Sequence, residues 1–142
     1  MNKTFYIAGS SKNRGLISEF GNDLKVGDWE WEWDWTKVEE SYLVSPQGAG
    51  RDQAFLSNLA RPGLVMHDLR AAAVADLFVL HLDPNNPSLG GACELGTRLQ
   101  TGKKAHLILN GSAHHLFFEH PGIEVWQDWH GLLEHLGLLH LP

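Results

Sequence analysis

The 142-residue chain is 43% hydrophobic and 20% charged, a composition for one globular domain with a sizeable core, which excludes a disordered polypeptide. Its 17 acidic against 11 basic residues give a formal charge of −6, which argues against a general nucleic-acid surface but leaves room for a small anion held by local cations. The single cysteine, Cys93, excludes an internal disulfide framework and fits a reducing cytoplasm, while the apolar runs are too short for a membrane helix and MNKTFYIAGS lacks a signal-peptide core.

Thr4–Ala8 is an apolar run ending in Gly-Ser and predicts a strand that meets a loop. Leu16, Ile17, Phe20 and Leu24 recur at helical spacing and predict a helix over Arg14–Leu24, broken at Gly27-Asp28. Trp29, Trp31, Trp33 and Trp35 alternate with acidic residues, the period of a half-buried strand. Ser45–Gly50 reads as a loop and Asp52–Leu59 as a short helix. Gly63–Ala75 reads as another helix, with Leu64, Leu69, Ala72 and Ala73 on its packed side.

Asp76–Leu82 is almost continuously apolar, as suits a central parallel strand covered on both faces. A turn-rich loop over Asp83–Gly91 leads to a helix over Ala92–Gln100. Strands are predicted at Ala105–Leu109 and Ile123–Trp126, and a last helix at Asp128–Leu139. This alternation implies an α/β protein: about five mainly parallel strands with helices on both faces. Ligands of such sheets bind beyond the carboxyl ends of the strands, here Gly9–Arg14, Ser45–Arg51, Asp83–Glu94 and Asn110–His115.

The most informative stretch is Pro87–Gly96, PSLGGACELG. Gly90 and Gly91 let a ligand approach the backbone, and the following helix start offers N–H groups and a positive dipole end. Glu94 near that start is expected to be ionised, either as a reactive carboxylate or as a surface residue helping the helix begin. Asp68 lies in a helix leading into the central strand; on physics alone a solvated residue is favoured over a site residue. Gly9-Ser10-Ser11-Lys12-Asn13-Arg14 joins small residues, hydroxyls and two cations at a helix start and makes a candidate anion cradle. It has neither the Walker A spacing nor GxGxxG. The histidines match no zinc spacing and read as scattered surface or core residues. Cys93 reads as a small buried residue rather than a nucleophile. The tryptophan run reads as core or subunit interface, since such a strand makes a poor edge unless covered.

Three separated pieces resemble one family. FYIAGS carries Tyr6 and the Gly9-Ser10 loop; HDL at His67–Leu69 precedes Ala75-Asp76 and an apolar strand; PSLGGACELG is followed by Gly102–Lys104. Together with Val125-Trp126 they are similar to the nucleoside 2-deoxyribosyltransferase superfamily, most of all to its 2'-deoxynucleoside 5'-monophosphate N-glycosidase branch. The resemblance implies a Rossmann-like, flavodoxin-like domain spanning residues 1–142. It implies that Glu94 attacks the anomeric carbon, Asp68 holds the sugar and assists proton transfer, and Tyr6 hydrogen-bonds near Glu94. Ser88 stands where the transferases carry an acidic residue that reads the 5'-hydroxyl, which points to a 5'-phosphate instead. Ser10, Lys12 and Arg14 would complete the phosphate cradle, with Gly9 and Gly90 beside it and Ser112 supplied by a neighbouring subunit. The implied protein is a cytoplasmic homodimer acting on a small nucleotide or nucleoside, with no metal or organic cofactor, no nucleic-acid polymer and no membrane as partner. A base-exchanging deoxyribosyltransferase and a catalytically silent nucleotide sensor are the rival readings.

Overall fold

The computed structural model describes residues 3–37, 63–112 and 114–139. Strand β1 (Lys3–Ala8) leads through a 3-10 turn, Ser11–Asn13, into helix α1 (Arg14–Val26) and the short strand β2 (Trp29–Trp31). Residues 63–74 form helix α2. Then come β3 (Leu77–His81), α3 (Leu89–Gln100), β4 (Ala105–Ile108), a 3-10 turn at Leu116–Glu119, β5 (Ile123–Trp126) and α4 (Trp129–His135). The sheet order is β2-β1-β3-β4-β5, and every pair is parallel. The chain winds outward from β1 in one direction and from β3 in the other, so the topological switch lies between the carboxyl ends of β1 and β3.

Adjacent strand residues point to opposite faces, and β3 shows which layer covers each. Leu80 lies beneath Gly91 of α3, whereas the ring of His81 meets Phe20 of α1. Trp129 of α4 stacks on Phe20 at 4.3 Å, so α1 and α4 share one face. On the other face Arg98 of α3 reaches the carbonyls that end α2. All five β3 residues are buried, as the continuous apolar run predicted. Thr4 and Asp76 exchange hydrogen bonds, Thr4 N–H to Oδ2 at 2.9 Å and Asp76 N–H to Oγ1 at 3.2 Å, which seats β3 against β1.

The fold departs from the sequence reading at several points. The tryptophan strand stops at Trp31, because Asp34 accepts from the Thr36 N–H and starts a helical turn at 35–37. Trp35 is therefore buried, donating its indole N–H to the Ile7 carbonyl at 2.6 Å, and Trp33 stacks on His67 of α2. The tryptophans thus pack within the chain, Trp35 in the core and Trp29, Trp31 and Trp33 partly buried against it. Leu16, expected on the packed side of α1, is 37% exposed. On α2 it is Ala71 and Ala72 that are buried, while Leu64, Leu69 and Ala73 are half-buried. Helix α3 starts three residues before the predicted Ala92, and α4 ends at His135 ahead of Gly137, whose φ is +76°. The predicted Ser45–Gly50 loop and Asp52–Leu59 helix lie outside the described residues.

Arg98, only 2% exposed, holds the face that α2 and α3 share. Its Nε donates to the Lys104 carbonyl at 2.9 Å, Nη1 to those of Ala72 and Ala75, and Nη2 to that of Asp76. Arg98→Ala leaves these carbonyls short of donors and is expected to cost about 3 kcal/mol, read as a lowered urea midpoint. Arg98→Lys is expected to recover less than half, since an ammonium lacks the guanidinium fork.

Candidate functional site

Ser88 starts α3: its side chain accepts from the Gly91 N–H at 2.8 Å. A Cβ on Gly91 would lie 2.7 Å from Leu80 Cδ1 and 3.0 Å from Ser88 Oγ, so this glycine lets the helix rest directly on β3. It serves packing, not ligand approach as the sequence suggested. Gly90 differs: among the described residues a Cβ there would meet only Glu94 Oε1, at 3.7 Å. Both glycines belong to the helix's first turn, not to the preceding loop.

That early start puts Glu94 in the second turn, where the dipole is weaker, and turns the residue inward. Glu94 is 9% exposed, and its Oε2 has no hydrogen-bond partner among the described residues. The Tyr6 hydroxyl donates to the carboxylate, and Asp68 lies close enough for its charge to repel. Burial dominates, with the Asp68 charge adding to it and the Tyr6 bond opposing, and lifts the carboxyl to about 7. The expectation that the helix start favours an ionised Glu94 is thus overturned by desolvation. Tyr6, 1% exposed on β1, is fixed by stacking on Phe78 of β3. The structure therefore brings together Glu94, Tyr6 and Asp68, residues predicted from three separate segments, at the β1–β3 switch.

The first loop forms the neighbouring feature. Ser10 caps the 3-10 turn, its Oγ accepting from the Lys12 N–H at 3.2 Å. Gly9 is tight: a Cβ would sit 2.6 Å from Ile17 Cδ1. Lys12 and Arg14, with Gly15, Ser18 and Thr36, line a cavity of about 400 Å³. Ser112 lies in the turn after β4, where its N–H donates to the Leu109 carbonyl at 2.8 Å, following Asn110 and Gly111 at positive φ.

Cys93, expected to be buried, is exposed, because it precedes inward-facing Glu94 by one residue and so points some 100° away from it. Two polar groups at the carboxyl end of β3 escaped the sequence reading. His81 ends β3 with a ring 2% exposed, its Nδ1 unpartnered among the described residues; burial holds its pKa below the usual value against the opposing charge of Asp83. Asp83 accepts from Asn13 Nδ2 at 2.8 Å, Asn86 Nδ2 at 2.9 Å and the Asn85 N–H at 2.9 Å, and these bonds hold its carboxyl down at about 2. The Asp-Pro-Asn-Asn run signals the local turn. Nothing local signals Asn13. Among the described residues, no group of three His, Cys, Asp or Glu could hold a metal ion, and no helix is long and apolar enough to cross a membrane.

No protein-family model matches the sequence, and no curated protein matches it. The structure of Clostridium botulinum CMP N-glycosidase, BcmB, is similar in fold, with a TM-score of 0.56 over 96% of this chain and 99% of that one, at 19% sequence identity.

Glu94 ties stability to pH. Its carboxyl rises from 4.5 to about 7 on folding, so the native state binds the extra proton and stability is lost as pH climbs through that window. Glu94→Gln, which carries no charge to desolvate, is expected to be more stable than the parent by about 3 kcal/mol at pH 8, a gain that vanishes near pH 4. Urea unfolding at the two pH values measures it.

Proposed function

We propose that this protein hydrolyses the N-glycosidic bond of (2'-deoxy)nucleoside 5'-monophosphates, releasing free base and (deoxy)ribose 5-phosphate. The observation that carries the reading is the buried Glu94 carboxylate, one oxygen unpartnered among the described residues, at the sheet's switch point beside Tyr6 and Asp68. The fold similarity to an enzyme that acts as a CMP N-glycosidase supports it.

Breaking a C1'–N bond leaves positive charge on the sugar. In this reading ionised Glu94 attacks C1', the bond's electron pair leaves with the base, and a bound water held by Asp68 delivers a proton to that base. The hydroxide left by that water then attacks C1' of the glycosyl ester, displacing the Glu94 carboxylate and giving the sugar 5-phosphate. Tyr6 orients the carboxylate and keeps part of it ionised near neutrality. Lys12, Arg14, Ser10 and the Ser88 end of α3 hold the 5'-phosphate, where a carboxylate in place of Ser88 would repel it. Water and side chains suffice for this sequence of steps, without a metal or organic cofactor. A homodimer in the cytoplasm, each subunit a single domain of this kind and Ser112 reaching the partner's phosphate, completes the reading.

Chromatography of nucleosides and their 5'-monophosphates, with and without an acceptor base, tests it. Free base is expected from the monophosphates alone, with kcat lowered about 10³-fold or more in Glu94→Ala. Base exchange on unphosphorylated nucleosides would overturn the hydrolase assignment. Because Glu94 must be ionised, kcat/KM is expected to fall as pH drops below about 7. In Asp68→Asn that limb is expected to move to lower pH, since the repelling charge is gone.

A further inference from the structure

The two halves of the proposed phosphate cradle come from distant segments, Ser10–Arg14 after β1 and Ser88–Gly90 opening α3. Asp83 bridges the two segments. Its Oδ2 accepts from Asn13, which lies between Lys12 and Arg14, and from Asn86, two residues before Ser88. Its Oδ1 accepts from the Asn85 N–H, and the Asn86 N–H closes the turn onto the Asp83 carbonyl at 3.1 Å. The base of this loop is pinned to the sheet, since the Leu82 N–H donates to the Ile108 carbonyl at 2.9 Å.

Three N–H donors converge on this one carboxylate, and two of them share one oxygen. Only an acceptor-only group satisfies that arrangement; an asparagine would set an NH₂ against a donor. The three N–H donors stabilise the carboxylate's charge and fix its orientation toward Asn13 and Asn86. We infer that Asp83 is a positioning residue for the 5'-phosphate, acting through Asn13 on the Lys12–Arg14 loop and through Asn86 on the Ser88 cap, and so sets the preference for phosphorylated substrates. This rests on the nucleotide reading above and adds to it a residue that touches neither the sugar nor the reacting atoms.

The test uses the full chain and the variants Asp83→Asn, Asp83→Ala, Asn13→Ala and the Asp83→Ala/Asn13→Ala pair. Three readouts are taken: kinetics on a deoxynucleoside 5'-monophosphate and on its nucleoside, calorimetric binding of ribose 5-phosphate, and thermal midpoints. In the Asp83 variants, KM for the monophosphate and Kd for ribose 5-phosphate are expected to rise about tenfold. The drop in kcat is expected to stay below about threefold, and the ratio of kcat/KM between monophosphate and nucleoside to fall with the KM change. The double variant is expected to be no worse than Asp83→Ala, because both substitutions remove the same contact. Asn13→Ala keeps Asp83 and two of its donors, so it reads the same effect if the Asp83 variants fold poorly. Parallel losses on both substrates that track the thermal midpoint, or an unchanged Kd for ribose 5-phosphate, would overturn the inference while leaving the hydrolase reading intact. A parent protein that neither turns over monophosphates nor binds ribose 5-phosphate would overturn both.

Discussion

Keeping a carboxylate buried is costly, and the architecture around Glu94, whose Oε2 has no partner among the described residues, is what holds it there. Helix α3 is fastened at both ends of the face that carries it. At the start, Ser88 caps the first turn and Gly91 lets the backbone settle on Leu80. One turn beyond Glu94, Arg98 locks the same face to four carbonyls. A helix fastened on both sides cannot roll to expose Glu94 without breaking one of these attachments, so the desolvation is borne by the acid's proton affinity instead.

The two buried ionisable groups of α3 make a contrast. Arg98 is saturated with acceptors, and its role is to join helices to the sheet. Glu94 has Tyr6 and little else, and lies where the sheet opens. The same pattern recurs on β3 and β4. His106 is buried at the far side, accepts the Trp126 indole N–H at 3.0 Å, and is held neutral mainly by burial, its pKa about 4. His81 at the switch point leaves Nδ1 without a partner among the described residues. Among the described residues, the buried groups left without a partner are these two, Glu94 Oε2 and His81 Nδ1.

Much of this was legible in the chain because the signals are local. The apolar run through Leu80 could only be a covered strand, and Ile123–Trp126 appears with the limits expected. Glu94, Asp68 and Tyr6 were visible as motif residues, although their meeting point depends on topology. Errors arose where a local pattern had a second meaning. The tryptophan alternation continues past Trp31, but Asp34 turns the chain regardless; the Gly-Gly pair reads as loop, yet Ser88 can cap a helix through it. What could not be read were contacts between distant segments, such as Asn13 with Asp83, and the balance of desolvation against dipole at Glu94. Both need three-dimensional neighbours.

The sheet's order has a bearing on how the chain assembles. β1 occupies an interior position, yet its pairing with β3 waits for residues such as Asp76, 72 positions beyond Thr4. Among the described residues no hairpin nucleates the sheet, since every adjacent pair is parallel and must close through a long crossover. During synthesis the β1–α1–β2 unit therefore emerges with one flank of its first strand still open, and it gains a complete neighbourhood only when β3 leaves the ribosome. The same docking of β3 brings the Tyr6 strand against the segment that leads into Glu94, so sheet closure and site formation are one event.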